Sequence, residues 1–436
     1  MRTLRTRLDL CTRRAGSARK AGGWRGLLTL LTCALLCAAF LTVSGGTATA
    51  ANADTHRLST WNMQRGTNRW QYALELSTHS DVVALQEAPV TPPNAARRLH
   101  GNYGAGISGY VIPGNRARGQ RYLFILSLGN NPSLGVNPAM ITSWLPDHVL
   151  NIDGVYRDAL AVVNTTDSTM FASIHASATG GTDSGSLVRR VAAAAGTLGL
   201  QDWAVLGDFN RDPTTLPALG LPNGSHIYNS GMATQQSGGE LDYMVSNVLT
   251  QNWQASRGVA HDSDHWPVTF SSLRAGANPT RFTISDHGNS SVLDVYAAQQ
   301  ANGTHIILYH PDSGTNQLWS LRTAGLYGQF DRLVSAASGK CMDVDNGTAS
   351  TIGSQMNIWD CHNSSTANDT QEFALEHPVP LFPNLTTVEN TQTELYLNVS
   401  ENSNADGTPV IQYTQQYGQL PYPANNESFY FHPAVS

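Results

Sequence analysis

Lysine is missing from the whole stretch between Asp54 and Arg274, where all 14 basic residues are arginine. Cysteine is missing between Cys37 and Cys341. That absence leaves no thiol chemistry for most of the chain. After the first 53 residues no run is apolar enough to span a bilayer, which excludes an integral membrane protein built of helices. Positive charge is scarce towards the C-terminus. Residues 275–436 carry 4 basic and 15 acidic side chains, whereas residues 54–274 carry 14 and 16. An acidic second half does not grip nucleic acid by bulk charge.

The N-terminus is the exception on both counts. Eight basic residues, Arg2 to Arg25, precede an apolar run from Leu27 to Val43 and two small-x-small sites, Ala48-Thr49-Ala50 and Ala51-Asn52-Ala53. This order reads as a secretory signal peptide over 1–53, the alternative being a membrane anchor. Cys11, Cys33 and Cys37 leave with it. The remaining pair, Cys341 and Cys361, reads in a secreted protein as a structural disulfide.

Between Asp54 and Arg274, short apolar runs end in polar residues. Arg57–Met63 alternates as a strand and delivers Asn62. Asp81–Ala88 is a buried strand stopped by Pro89, with Glu87 at its end. Arg69–Thr78 has a helical pattern, and so has Ser186–Leu200. Gly101–Gly119 reads as a glycine-rich loop with Arg116 and Arg118. Further strands are read at Tyr122–Leu126, Pro138–Thr142 and Tyr156–Val163, the last with Arg157 at its entry. Thr169–His175 ends on His175. Trp203–Leu206 runs into Gly207-Asp208-Phe209-Asn210, where glycine permits a close turn and Pro213 forbids an early helix. On its own that tetrapeptide is equally a plain turn. Asp242 opens one more strand, and Asp264-His265 stands just before the last. Strands with few helices predict an α+β sandwich of two sheets. Carboxylates with hard oxygen donors suit Mg²⁺, and two histidines suit proton transfer near neutral pH. This is the inventory of a metal-assisted phosphodiesterase.

The ordered set Trp61-Asn62, Gln86-Glu87-Ala88, His175 to Gly181, Gly207 to Arg211, Leu241-Asp242-Tyr243 and Ser263 to Val268 resembles the endonuclease/exonuclease/phosphatase superfamily, which includes pancreatic-type deoxyribonuclease. Gly180-Gly181-Thr182-Asp183 followed by Ser186-Leu187-Val188-Arg189 resembles the B subunit of cytolethal distending toxin in particular. The resemblance covers about Arg57 to Leu273 and implies a four-layer α/β sandwich. It implies Glu87 as principal metal ligand, with Asn62 and Asp264 nearby, for Mg²⁺, Ca²⁺ or Mn²⁺. It implies that His265, oriented by Asp264 or Asp208, helps to activate water. Asp208 and Asn210 would hold water and phosphate. His175 would face the oxyanion or the leaving oxygen, its tautomer fixed by Asp242. Arg157, with Arg118 or Arg116, would contact phosphate.

The second half repeats. Leu293-Asp294-Val295, Cys341-Met342-Asp343-Val344 and Tyr396-Leu397-Asn398-Val399 each precede an aromatic-containing strand and a polar-aromatic ending, at Trp319, Phe373 and Phe429. Three such units resemble a ricin-type β-trefoil lectin. Trp319, Phe373 and Phe429 are expected in the core. The sugar-facing residues implied are Asp294, Tyr309 and Asn316 in the first unit, and Asp343 with Trp359 in the second. The third unit departs from the pattern with Asn398.

The sequence therefore predicts a signal peptide at 1–53, a catalytic domain at 54–274, a linker at 275–280 and an all-β trefoil at 281–436. It predicts a secreted monomeric DNA endonuclease, genotoxin-like, carrying its own glycan-binding module and no integral membrane association. A phosphoinositide or sphingolipid phosphohydrolase on the same fold is the alternative substrate reading. An inactive carbohydrate-binding protein is the alternative of another class.

Overall fold

The computed structural model describes residues 52–128, 136–274, 280–287, 290–325, 328–344, 351–362, 369–418 and 422–434. Residues 1–51 of the expected signal peptide and residues 275–279 of the expected linker lie outside them. No described helix is long and apolar enough to cross a membrane.

Fourteen strands of the first half are described: β1 Leu58–Asn62, β2 Val82–Ala88, β3 Arg97–Arg98, β4 Ile107–Ile112, β5 Arg121–Leu126, β6 Asn137–Thr142, β7 His148–Ile152, β8 Ala159–Asn164, β9 Thr169–His175, β10 Asp202–Asp208, β11 His226–Tyr228, β12 Asp242–Ser246, β13 Gln254–Arg257 and β14 Val268–Ser271. They form two sheets, ordered β13-β14-β1-β2-β6-β5-β4-β3 and β11-β12-β10-β9-β8-β7. Helix α1, Trp70–His79, lays Trp70, Ala73 and Leu76 on the first sheet against Val83 and Leu85. Helix α2, Ser184–Thr197, lays Leu187, Val188, Val191 and Ala195 on the second against Ala172 and Val205. Each helix is apolar along one stripe because the other side faces water. The strands between, such as β8 and β9, are buried along their whole length, as strands covered on both faces must be. The result is the four-layer α/β sandwich.

The sheets meet through polar groups as well as apolar ones. Ser173 Oγ donates to the Leu85 carbonyl at 2.9 Å, and Gln86 Nε2 donates to Ser173 Oγ at 3.0 Å. Both residues are buried. A satisfied polar link of this kind fixes how one sheet sits on the other.

The stretch 101–119 is not all loop. Gly104 and Gly106 have positive φ and make turns, but Ile107–Ile112 pairs with β5 along its length. Gly109 hid the strand from the sequence reading. A Cβ there would lie 2.7 Å from the Tyr103 ring and 3.0 Å from Phe124. Glycine marks a close approach inside the strand.

The second half is an all-β trefoil. Three hairpins repeat: Val292–Val295 with Thr304–Tyr309, Cys341–Val344 with Met356–Trp359, and Leu395–Val399 with Thr408–Tyr413. Phe282–Asp286 pairs with Phe429–Pro433 and so joins the first strand to the last. Trp319, Phe373 and Phe429 lie together in the core with Leu293, Met342 and Leu397. Cys341 and Cys361 are disulfide-bonded, their Cα atoms 5.0 Å apart.

The two folds share an apolar core. Val379, Phe382, Leu385 and Tyr430 of the trefoil half belong to the cluster that contains Val205, Ile227 and Tyr243. Backbone and side chains add to it. Ile227 N donates to Leu381 O at 2.7 Å. Asn384 Nδ2 donates to Trp253 O at 2.7 Å, and His432 Nδ1 bonds Ala255 O at 3.1 Å. Gly231, at φ +67°, has the Tyr430 ring where a Cβ would stand, 2.4 Å away.

Candidate functional site

Strand register builds the second sheet's share of the site. β10 runs parallel to β9 with Asp208 beside His175, and antiparallel to β12 with Asp208 beside Asp242. Three titratable groups thus stand in a row across adjacent strand ends. Gly207 makes this possible. At φ +149° a Cβ would lie 2.1 Å from Ile174 O, so only glycine lets β10 lie this close to β9.

The first sheet supplies the facing groups. β1 and β2 are parallel, with Asn62 beside Gln86. The pairing of β2 with β6 shifts between Leu85 and Ala88, and Glu87 within that shift has φ +50°. A bulge of this kind re-aims a side chain. Glu87 Oε1 comes 3.9 Å from His175 Nε2. Asn62 Nδ2 donates to Asp208 Oδ2 at 3.0 Å and closes the site between the sheets.

His175 Nε2 and His265 Nε2 lie 3.5 Å and 3.7 Å from Asp208 Oδ2. His265 Nδ1 bonds Asp242 Oδ2 at 2.7 Å. Thr234 Oγ1 donates to the same oxygen at 2.8 Å and accepts from the Asp242 backbone N–H. Ser263 Oγ donates to Asn62 O at 2.8 Å and accepts from His265 N. Asn210, at φ +49°, donates its N–H to Asp208 Oδ1 and its Nδ2 to Ala176 O. Arg157 Nη1 donates to the same carbonyl at 3.0 Å.

Two expectations are corrected. Asp242 orients His265, not His175. His265 is held by a backbone bridge to Gln235, and its ring lies nearer Asp242, at 2.7 Å, than Asp208, at 3.7 Å. His175 Nδ1 is buried without a partner among the described residues. Arg118 is not a free phosphate contact. It is buried, and its guanidinium donates to Leu74 O and Pro113 O. Arg116 is exposed. Asp264 is half-buried and adds negative charge near His265.

Environment separates the titrations. Burial pushes the Asp208 carboxyl up to about 7, assisted by the Asp242 charge and opposed by His265, Asn210 N–H and Asn62. Burial opposes a charged His265, but Asp242, then Asp208 and Asp264, raise its imidazole to about 9. His175 moves the other way. Burial, and then Arg157, His265 and Arg65, hold it well below its ordinary value. Groups driven apart in this manner take different protonation states at one pH.

Asp208, Asp242 and His265 form a buried group that could hold a metal ion. Asp242 Oδ2 is already committed to His265 and Thr234, whereas its Oδ1 is buried without a partner among the described residues. Glu87 is less encumbered, since the side-chain bond made to its carboxylate is from the half-exposed Arg65, Nε to Oε2 at 3.0 Å. Carboxylate and amide oxygens of this kind fit a hard divalent cation.

Sequence reading missed Arg65, Thr234 and Ser263. Arg65 sits three residues after Asn62, and only the bulge at Glu87 brings the two charges together. Thr234 and Ser263 are ordinary in composition, and only the tertiary fold sets them against Asp242 and Asn62.

In the trefoil, Asp294 Oδ2 accepts from Asn316 Nδ2 and Gln317 Nε2 at 2.8 and 2.9 Å. Tyr309 is half-buried and its ring lies 4.3 Å from that of His310. Asp343 Oδ2 accepts from Gln371 Nε2 at 2.7 Å, and Trp359 is 41% exposed. The third unit keeps the bond and reverses it: Asn398 Nδ2 donates to Glu427 Oε1 at 2.9 Å.

Among curated proteins none matches the chain. The family described as ricin-type beta-trefoil lectin domain-like matches at residues 250–359 and 315–413. Cytolethal distending toxin from Actinobacillus actinomycetemcomitans is 24% identical over 51% of this chain and 100% of that one, with a TM-score of 0.45. A structure of the biologically active subunit of cytolethal distending toxin is 25% identical over 50% of this chain and 98% of that one, with a TM-score of 0.44. The Rhizoctonia solani agglutinin is 21% identical over 37% of this chain and 99% of that one, with a TM-score of 0.29. The chain is similar in its first half to the active subunit of that toxin and in its second to ricin-type β-trefoil lectins, on one polypeptide.

Proposed function

We propose that residues 54–274 form a divalent-metal-dependent phosphodiesterase that cuts DNA, with Mg²⁺ as its ion. Residues 281–436 then bind glycans, 1–53 direct secretion, and 275–280 link the domains. The observation that carries the reading is the convergence on Asp208 of His175, His265 and Asn62, with Glu87 and Arg157 beside His175.

An ion held by Glu87 and Asn62, with Asp264 near, would neutralise charge developing on the phosphate. The chain's own groups do the rest. Asp208, with a carboxyl near neutral titration, is placed to hold the attacking water and take its proton. His265, kept charged by Asp242, donates from Nε2. His175 stays neutral and offers Nε2 to the phosphate oxygens, with Arg157 beside it. This assigns proton acceptance to Asp208 rather than to His265, where the resemblance put it, because the charges of Asp242, Asp208 and Asp264 raise the His265 imidazole.

The test is nicking of supercoiled plasmid by residues 54–436 with Mg²⁺, beside EDTA and His175→Ala controls. Nicking lost in both controls supports the reading. A folded, metal-replete sample that leaves plasmid intact and releases phosphate from a phosphoinositide or sphingolipid overturns DNA as substrate. For the trefoil, a glycan array probed with Asp294→Ala and Asp343→Ala separates the first two units.

A further inference from the structure

Arg65 is placed like no other arginine of the site. Its backbone is pinned: Arg65 N donates to Glu87 O at 3.0 Å, and Met63 N to Gln86 O at 2.8 Å. Gln64, Arg65 and Glu87 all have positive φ, 44°, 65° and 50°. Such conformations are uncommon outside glycine and persist where surrounding bonds enforce them. The side chain is half-exposed by contrast. It is 52% exposed and bonds Glu87 Oε2 at 3.0 Å. The other Glu87 oxygen faces His175 Nε2. Arg157 approaches His175 as well, tied to Ala176 O, so His175 lies in the field of both guanidinium groups.

An arginine fixed at its root and half-exposed at its tip can exchange partners. Guanidinium binds carboxylate and phosphate with the same fork of donors. Glu87 is the carboxylate best placed for a divalent cation, and one carboxylate oxygen does not serve a cation and a guanidinium equally well.

We propose that Arg65 guards Glu87 and becomes a phosphate contact: its guanidinium competes with a divalent cation for the Glu87 carboxylate, and when the cation takes Glu87 it turns to a phosphate beside His175. This rests on the phosphodiesterase reading. It adds a coupling in which loading Glu87 prepares the site for an anion.

The experiment measures binding, without turnover, on the chain from Asp54 to Ser436. Mn²⁺ is titrated calorimetrically into wild type, Arg65→Gln and Arg157→Gln, and inorganic phosphate is then titrated with and without Mn²⁺. Arg157→Gln removes an equal charge beside the same histidine but no bond to Glu87, and so controls for bulk electrostatics. Arg65→Gln is expected to bind Mn²⁺ about fivefold more tightly, the scale of one half-exposed ion pair, while Arg157→Gln stays near wild type. Phosphate is expected to bind wild type more tightly with Mn²⁺ than without, and Arg65→Gln is expected to lose most of that gain. Equal Mn²⁺ affinity in Arg65→Gln and wild type overturns the guard. An undiminished Mn²⁺-linked gain in phosphate affinity overturns the exchange. Both readouts stand apart from plasmid nicking, so intact plasmid with these shifts present rejects the DNA substrate and leaves Arg65 in its role.

Discussion

His265 Nδ1 and Asp242 Oδ2 are 2.7 Å apart, and Thr234 Oγ1 closes on the same oxygen at 2.8 Å. His175, on the other flank of Asp208, has no partner for its Nδ1 among the described residues. One histidine is clamped and the other rests on packing. Asp242→Asn is therefore expected to lower phosphodiesterase turnover about 10²- to 10⁴-fold, the usual scale for losing proton-transfer competence. His265→Ala should fall in the same range, and Asp242→Asn added to it should cost little more, because the pair acts as a unit. Initial rates on a plasmid or a small phosphodiester check this.

Gly207→Ala is expected to destabilise the fold by about 3 kcal/mol or more, since backbone would have to move. The Cβ would meet Ile174 O at 2.1 Å. Because Ile174 and Gly207 precede His175 and Asp208, any folded fraction should also lose activity. Thermal unfolding with a parallel rate measurement separates the two losses.

The junction between the folds is expected to weaken in acid. His432 bonds Ala255 O through Nδ1 and Ser285 Oγ through Nε2. Burial, and then the nearby Arg257 charge, hold it down to about 4 against 6.5. The unfolded chain takes up a proton near pH 6.5 that the folded chain refuses until about pH 4. Stability is thus whole above pH 6.5 and falls as pH drops to 4, by about 3 kcal/mol for this group. His432→Gln should flatten that slope in urea unfolding. His377, which burial also holds down to about 4, leaves a residual dependence.

Cys341→Ser with Cys361→Ser is expected to cost about 3 kcal/mol, from the chain entropy of a loop closed over about 20 residues. Calorimetry should show the loss. Plasmid nicking at 25 °C should survive it, since the bridge joins the ends of one trefoil hairpin, Cys341 beside Trp359 in register.

Gly231→Ala is expected to loosen the junction. Its Cβ would stand 2.4 Å from the Tyr430 ring at a positive φ, so a loss of about 2 kcal/mol or more follows. Limited proteolysis of the variant should release a trefoil fragment sooner than it does from wild type.

The sequence alone determined the elements that are periodic or punctuated. β9 ends at His175 as its apolar run implies, Pro89 stops β2 at Ala88, and the trefoil declares itself by repetition. Buried Trp319, Phe373 and Phe429 were legible because a core position must be large and apolar wherever the chain places it. The inventory of site residues was legible as strand-end polar groups. Their pairing was not. Which carboxylate meets which histidine depends on the β9–β10–β12 register and on the angle at which the Ser263–His265 turn enters, and neither leaves a trace in local spacing. The place of Arg118 was illegible for the same reason. Arg118 is folded back onto carbonyl groups of α1 and its own loop, while a bulge turns Glu87 towards Arg65. The union of the two folds is tertiary too: Val379, Phe382 and Tyr430 look like ordinary loop and strand residues until they are seen filling the core beside Val205 and Tyr243. Hydrophobic periodicity records which residues are buried. Only the packed chain decides against what.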